Sequence, residues 1–384
     1  MAGARAHVFL IPGLFGFGRL AGTDYFGHVK HGLAQRFAAA GRDVSIHVVA
    51  APPTASIVAR AHTLAIAVAR HAGADDGAIH VLGHSTGGLD GRLWLSPAGQ
   101  LDPTPSGDRL RARTRSLITL NTPHHGTPLA AYFTTVAGTR LLQALSMLTV
   151  MTLSAGRLPL TALSGAVARL AEVDEKLGVD WKLIERVTSS VLSLVGEDTR
   201  YDVHAYGREV HGDRAGVVQL MPEVMELFNA AVPDAPSVRY ASIASAAPSP
   251  GPRLALRGLV APMRAWNLAL YTTLYSFASL PDARGSYGRP TDEQADLLDR
   301  VLGAPAMATC ADGIVPTLSM LWGELIHVAR ADHLDVVGHF DDDEPHTAGE
   351  GQRAHVDWLM SGARFTRSRF AALLDAAAAF MLRE

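Results

Sequence analysis

The sequence predicts an α/β fold in which a mostly parallel central sheet is flanked by helices. Short apolar runs of strand length recur along the chain, and amphipathic helical stretches lie between them. The clearest example is residues 78–95, where an apolar run, a glycine-rich turn and a helical stretch follow one another without a linker. Because strands that alternate with helices pair in parallel, we expect ligands to bind at their carboxyl ends.

Six segments have the length and apolar character of strands. Each is bounded by glycine, proline or polar residues, which are typical of turns. The predicted strands cover residues 7–11, 44–50, 78–82, 116–121, 238–245 and 324–328. Residues 96–108 are rich in proline and glycine and predict a loop.

Helices are predicted between the first three strands. In residues 26–41, Val29, Leu33 and Phe37 recur every four positions and so lie on one helical face. Residues 56–72 show a similar pattern behind a serine that is typical of an N-cap.

Domain organisation follows from the helical material between core strands. Residues 1–127 and 238–384 are predicted to form the two parts of one core, and residues 128–237 a large helical cap or lid. A further helical segment is predicted at about residues 252–280, within the second part. These helices could instead pack on one another as a core layer, and the sequence leaves that alternative open.

Composition excludes some classes of function. The 384 residues carry 34 basic and 37 acidic side chains, a net charge of −3, and no basic run, so we expect no nucleic-acid partner. The best membrane candidate, the uncharged residues 141–156, is shorter than the roughly 20 residues that a transmembrane helix needs. We therefore expect no transmembrane segment.

The expected compartment is the cytoplasm. The single cysteine, Cys310, excludes an intramolecular disulfide, so nothing requires an oxidising environment. Residues 7–17 are apolar but contain a proline and a glycine in the middle, and no small-residue cleavage site follows, so no signal peptide is recognised.

Ser85 is the candidate nucleophile. It is the central residue of Gly83-His84-Ser85-Thr86-Gly87, a G-x-S-x-G pattern that follows a predicted buried strand and opens a predicted helix. Such a sharp turn lifts the serine hydroxyl off the chain at the carboxyl end of the strand. The N–H groups that follow open a helix, whose positive end favours an oxyanion.

Several further segments form a recognisable set. They are Pro12-Gly13-Leu14-Phe15-Gly16, Asp24-Tyr25-Phe26, the elbow with Arg92, Asn121-Thr122-Pro123-His124-His125-Gly126-Thr127, Leu220-Met221-Pro222-Glu223 through Phe228-Asn229, Pro233-Asp234, Asp312-Gly313-Ile314-Val315-Pro316 and His333-Leu334-Asp335. Together they resemble the bacterial true lipases of the Pseudomonas and Burkholderia type, which have the α/β-hydrolase fold. The similarity spans most of the chain, with diverged cap helices.

The resemblance implies a catalytic triad of Ser85, Asp312 and His333. This is the chain order expected of an α/β-hydrolase. It also implies that the backbone N–H groups of Leu14 and Thr86 bind the oxyanion. Pro12 stands where most relatives have histidine, so the oxyanion loop is expected to be set differently.

Other side chains compete for these roles. His84, His124 and His125 lie near the site by sequence and could be the base or simply polar lining. His333 is favoured because it follows the acid by 21 residues, in a loop beyond the last predicted strand. Its chain neighbours Asp332 and Asp335 are poorly placed to reach across its own ring.

The resemblance further implies a structural calcium ion held by Asp335 and a more distant aspartate, for which Asp292 is the candidate. His339 stands where a glutamine would help, and an imidazole is a poor calcium ligand. The sequence therefore does not decide whether the chain binds calcium, and we expect no other cofactor or metal.

The predicted function is that of a serine carboxylic-ester hydrolase, a lipase or esterase that acts through an acyl-enzyme on an ester or lipid with an apolar acyl group. Alternatives are an intracellular polyester depolymerase, a serine acyltransferase on the same scaffold, and a hydrolase fold kept only as a binding module. The leucine-rich stretch 141–153 and the stretch 266–277 are predicted to form the inner face of the cap, which would bind the acyl chain and contact lipid interfaces.

Overall fold

A computed structural model describes residues 5–14, 16, 19–20, 23–99, 101, 105–135, 215–251, 262–281, 287–303, 309–340 and 355–383. The sheet consists of β1 (Ala6–Ile11), β2 (Val44–Val48), β3 (Ile79–His84), β4 (Thr114–Leu120), β5 (Arg239–Ala246) and β6 (Glu324–Arg330). The strands lie in the order β2-β1-β3-β4-β5-β6, and every neighbouring pair is parallel. All six strands predicted from the sequence are present. A short antiparallel pair, Arg19–Leu20 with Thr23–Asp24, precedes the first helix.

The described helices are α1 (Gly27–Ala39), α2 (Ile57–Ala72), α3 (Thr86–Leu95), α4 (Pro105–Arg113), α5 (Pro128–Phe133), α6 (Ala215–Gln219), α7 (Pro222–Ala231), α8 (Pro262–Ala278), α9 (Asp292–Leu302) and α10 (Arg367–Leu382). The loop predicted over residues 96–108 is wrong in its last part, because α4 begins at Pro105. Proline is tolerated in the first turn of a helix, where its missing N–H would have no intrahelical partner.

The first strand shows how the sequence builds a sheet between two helical layers. Successive side chains of a strand point to opposite faces. Val8 and Leu10 accordingly pack in a cluster that includes residues of α1 and α10, whereas Phe9 and Ile11 pack in one that includes residues of α2 and α3. A parallel sheet covered on both faces, with a sharp strand-turn-helix at β3 and α3, is the α/β-hydrolase fold that the sequence predicts.

Only part of the predicted cap can be described. Residues 136–214, which include the leucine-rich stretch 141–153, lie outside the described residues, and so do residues 252–261. The division into core and cap therefore stays a prediction. Helix α8 lies within the helical segment predicted at about residues 252–280.

Helix α8 packs against α5 beside the carboxyl edge of the sheet. The rings of Tyr132 and Phe277 stack with their centroids 3.8 Å apart, and Leu129 lies in one buried cluster with Leu274. Within the described ranges, no helix has the length and apolar character needed to cross a membrane.

Candidate active site

Ser85 occupies the turn between β3 and α3, with backbone angles φ 54° and ψ −127°. A residue other than glycine holds such a conformation only where its surroundings enforce it. The flanking glycines allow the tight turn. A Cβ on Gly83 would lie 2.3 Å from the carbonyl carbon of Gly87, and one on Gly87 would lie 2.3 Å from the carbonyl oxygen of Ile11. The strained elbow holds the Ser85 side chain at the carboxyl end of a central strand.

His333 lies in the loop that follows β6 and contacts both other candidate residues. Its Nε2 is 2.9 Å from Ser85 Oγ, and its Nδ1 is 2.6 Å from Asp312 Oδ2. A carboxylate only accepts hydrogen bonds, so Nδ1 carries the hydrogen and Nε2 presents a lone pair to the serine hydroxyl. This is the arrangement in which an imidazole can take a proton from a serine.

Asp312 is held by donors on both carboxylate oxygens. Its Oδ1 accepts from the backbone N–H groups of Ile314 and Val315, at 2.9 and 2.7 Å. Its Oδ2 accepts from Asn121 Nδ2 at 3.0 Å as well as from His333. The side chain is fully buried, and these four bonds fix the orientation of its carboxylate. Sequence reasoning gave Asn121 no role, although its place at the carboxyl end of a predicted strand was a usable signal.

The two predicted oxyanion donors flank Ser85. Leu14 follows Gly13, and Gly13 lies so close to the serine that an added Cβ would be 2.6 Å from Ser85 Cβ. Thr86 is the first residue of α3, where backbone N–H groups have no intrahelical partner. Both residues are therefore next to the hydroxyl, and their role as donors stays a prediction.

Arg60 of α2 anchors the loop that carries Leu14. Its guanidinium donates to the carbonyl oxygens of Pro12 and Pro52, at 2.5 and 2.6 Å, and pairs with Asp90 of α3 at 2.9 Å. Arg60 and Asp90 are both fully buried, so each charge depends on the other for compensation. Burial nevertheless raises the pKa of Asp90 to about 6, with Arg60 opposing the rise. This pair joins the elbow helix to the loop at Pro12, a connection that the sequence did not indicate.

The competing histidines make other contacts. His124 Nε2 is 3.0 Å from Thr119 Oγ1, its Nδ1 is 3.3 Å from Arg92, and burial lowers its pKa well below the usual value. His125 lies against the ring of Trp322. His84 bonds to the backbone of the His333 loop rather than to Ser85 Oγ. Only His333, of the four, bridges a serine and a carboxylate in the described contacts.

The aspartates on either side of His333 serve its loop. Asp332 Oδ1 accepts from the N–H groups of Leu334 and Asp335, and its Oδ2 accepts from the hydroxyl of Ser361 at 2.7 Å. Asp335 Oδ2 accepts from the N–H of Asp332. These bonds hold the backbone on either side of His333. The carboxylate that contacts the His333 ring is that of Asp312.

Asp292 and Asp335 do not come together to hold calcium. Asp292 opens α9, and Gln294 two residues later bonds to the carbonyl of Gly323, just before β6 begins. Asp335 lies beyond the other end of that seven-residue strand, which at about 3.3 Å per residue is on the order of 20 Å away. Asp335 instead lies with Asp332 and Asp357, whose candidate ligand oxygens are all within 4.8 Å of one another. Asp292 does not belong to that group, and calcium binding itself stays a prediction.

A pocket with a cavity volume of about 100 Å³ adjoins Ser85 and His333. Most of its wall is apolar and comes from α5, α6 and the loops that follow the strands. The apolar lining includes Leu14, Leu129, Ala130, Phe133, Val217, Leu220, Ile314, Val315, Leu334 and Leu359. Tyr25, His84 and His339 add polar groups near the triad. The arrangement suits a ligand with an apolar chain and one reactive polar group.

Comparisons with known proteins give only distant similarities. No protein-family model matches the chain, and a search of curated proteins finds no match. Among solved structures, the chain is similar to EstA from Clostridium botulinum, with 16% identity, a TM-score of 0.47, and 95% of this chain and 88% of that one covered. It is also similar to lipase 1 from Pelosinus fermentans (17%, TM-score 0.47, 86% and 93% covered) and to the Staphylococcus hyicus lipase (15%, TM-score 0.43, 87% and 88% covered). Values this low say nothing about the activity or substrate of this chain.

Proposed function

We propose that this chain is a serine carboxylic-ester hydrolase of the lipase or esterase type. The observation that carries the proposal is the unbroken line of hydrogen bonds from Ser85 Oγ through the His333 ring to Asp312 Oδ2. Nucleophile, base and orienting acid are each within hydrogen-bond reach of the next, which is the geometric requirement for an activated serine.

Acylation begins when Ser85 Oγ attacks the ester carbonyl carbon and its proton passes to His333 Nε2. Asp312 stabilises the imidazolium that forms and keeps the ring in the tautomer that accepts the proton. The negative charge on the former carbonyl oxygen is placed to meet the N–H groups of Leu14 and Thr86, our proposed oxyanion donors. The bond to the leaving alcohol then breaks, and Nε2–H gives its proton to the alcohol oxygen.

Deacylation repeats the sequence with water. His333 Nε2 takes a proton from water as its oxygen attacks the acyl carbon, and Ser85 Oγ recovers that proton when the acid leaves. The same acyl-enzyme would transfer its acyl group to another alcohol if that alcohol reached the site before water. Hydrolase and acyltransferase therefore share every residue of this mechanism and differ only in the acceptor.

The apolar pocket supports an ester with an apolar acyl group. Each methylene that the pocket buries contributes about 0.8 kcal/mol of binding, so medium chains are favoured over acetate. Val218 of α6 and Leu227 of α7 have 42% and 71% of their surfaces exposed. These exposed apolar side chains support contact with a lipid surface.

The test is pre-steady-state hydrolysis of p-nitrophenyl octanoate with and without an added short alcohol. The proposal expects a burst of p-nitrophenol equal to the enzyme concentration, followed by slower turnover. Ester product in the presence of alcohol would mark acyl transfer, and soluble acids released from hydroxyalkanoate oligoesters would mark a polyester depolymerase. If no ester gives a burst or turnover, the proposal is wrong. The alternative that then remains is a hydrolase fold kept only as a binding module.

A further inference from the structure

Tyr25 and His84 form a buried line of hydrogen bonds that ends on the backbone of His333. Tyr25 Oη is 2.8 Å from His84 Nδ1, and His84 Nε2 is 2.9 Å from the carbonyl oxygen of His333. The exposed fractions are 6% for Tyr25, 1% for His84 and 4% for His333. Water therefore does not compete for these bonds, and each is worth more than it would be at the surface.

The chemistry of the groups decides where each hydrogen lies. The His333 carbonyl only accepts, so His84 Nε2 must carry a hydrogen. Burial lowers the pKa of His84 well below its usual value, so the ring is neutral and Nδ1 holds a lone pair. Tyr25 must then donate its hydroxyl hydrogen to Nδ1. Burial also raises the pKa of Tyr25, which keeps that hydrogen in place.

Tyr25 also lies near the loop after β1. The backbone N–H of Gly13 opposes the effect of burial on the Tyr25 pKa, and Gly13 immediately precedes Leu14 in the loop that lies against Ser85. The hydrogen-bonded line itself runs from Tyr25 Oη–H to His84 and on to the His333 carbonyl. It joins the segment before α1, the elbow and the loop after β6, which are far apart in the chain.

We propose that Tyr25 and His84 are positioning residues that set the His333 imidazole and the Leu14 N–H relative to Ser85. Neither touches Ser85 Oγ in the described contacts, and both act through the groups they hold. This inference rests on the proposed function, because positions of base and oxyanion donor matter only if Ser85 is the nucleophile. A misplacement of about 1 Å in such a constellation can cost on the order of 100-fold in rate.

The variants that test this are Tyr25→Phe, His84→Leu and His84→Gln. Tyr25→Phe keeps the ring, which packs edge-on against Phe26 with centroids 4.8 Å apart, and removes only the hydroxyl. His84→Leu removes both bonds, whereas the glutamine amide of His84→Gln can still donate to the His333 carbonyl. Tyr240→Phe is the matched control, because it deletes a half-buried hydroxyl that accepts from Ala235 at 2.9 Å, at the opposite end of the sheet.

We expect Tyr25→Phe and His84→Leu to lower kcat by about 10- to 100-fold with KM within about twofold, since only the geometry of the reacting groups changes. Titration with a p-nitrophenyl phosphonate normalises each rate to folded sites. His84→Gln should recover most of kcat, and Tyr240→Phe should match the wild type. A kcat per titrated site within about twofold of wild type, accompanied by a lower Tm, would overturn the inference and make the line purely structural.

A second measurement does not depend on turnover. The ¹⁵N NMR spectrum of the histidines should show His84 as the neutral Nε2–H tautomer, and the low-field proton of His333 Nδ1–H should broaden or move in Tyr25→Phe. An Nδ1–H tautomer for His84, or an unchanged low-field proton, would overturn the inference. If the wild type hydrolyses no ester, the proposed function fails, and these spectra still decide whether Tyr25 and His84 hold the His333 loop.

Discussion

Asn121 donates a hydrogen bond from Nδ2 to Asp312 Oδ2, the oxygen that also accepts from His333. The same amide nitrogen is 2.8 Å from Ser245 Oγ, and the residue has a positive φ of 50° at the end of β4. A neutral donor in this place orients the carboxylate toward the His333 ring.

Asn121→Asp should lower kcat/KM at neutral pH by about ten- to 100-fold. The change replaces a donor by a second carboxylate of the same size, and a lost bond to a charged group costs about 1.5–3 kcal/mol. Steady-state kinetics on a p-nitrophenyl ester measures the loss. Asn121→Gly is the comparison, because glycine accepts the positive φ while removing the donor without adding charge. Equal activity of Asn121→Asp and the wild type would show that this bond does not matter to Asp312.

Ser85→Ala and His333→Ala should each remove on the order of 10⁶ of turnover, because the two residues act as one unit. Asp312→Asn should fall somewhat short of that loss. Thermal unfolding of each variant checks that the fold survives.

His124→Ala and His125→Ala are the controls for the base. Both should keep far more activity than His333→Ala, although His124→Ala should also lower Tm through its lost bonds to Thr119 and Arg92. If either of these were the inactive histidine variant, His333 would not be the base.

Phe133→Asp should reduce the preference for octanoyl over acetyl p-nitrophenyl esters. Phe133 lines the pocket and is half-buried at the margin of the cluster that contains Leu129, so a charge there disfavours an apolar chain. In the wild type the preference should reach at least about an order of magnitude, from methylenes worth about 0.8 kcal/mol each. Val58→Asp, on an exposed position of α2, is the matched control. A ratio that Phe133→Asp leaves unchanged would mean that the chain binds elsewhere.

Asp292→Asn should not change any response of Tm to calcium. Asp292 is exposed at the start of α9 and lies at the opposite end of β6 from Asp335. A bound ion raises Tm by mass action, so Tm with added calcium and with excess chelator is compared in both proteins. Loss of a calcium response in the variant alone would show that Asp292 is a ligand.

His80 should make the folded chain less stable in mild acid. Burial lowers its pKa to about 4 from 6.5, and its Nδ1 is 2.8 Å from Ser116 Oγ. Between these values the unfolded chain binds more protons, so the free energy of unfolding rises with pH across this window. His80→Asn should reduce that slope by up to about 1.4 kcal/mol per pH unit, measured by urea unfolding at several pH values. The exposed His62→Asn is the control, and an unchanged slope in His80→Asn would contradict the prediction.

Local signals in the sequence predicted the strands and the elbow because their causes are local. Apolar runs bounded by turn residues place β1 to β6. Gly83 and Gly87 supply the small residues that the tight turn at Ser85 requires. Prolines and glycines misled the prediction at α4, since they mark helix starts as well as loops.

The contacts between distant segments could not be predicted in the same way. Arg60 and Asp90 lie on different helices, and neither their pairing nor the bond to Pro12 leaves a pattern in the residues between them. The calcium hypothesis rested on residue type alone. Asp335 and Asp292 both carry carboxylates that suit calcium, but they lie beyond opposite ends of β6.

Ser85 and His333 are 248 positions apart in the chain, and this separation affects how the protein is made. A ribosome adding about 5–20 residues per second needs roughly 12–50 s to travel from the serine codon to the histidine codon. During that interval the nascent chain carries the proposed nucleophile without its proposed base, and Asp312 also emerges late. Under the proposed function, ester chemistry is thus withheld until the last strand of the sheet has been synthesised and has paired with β5.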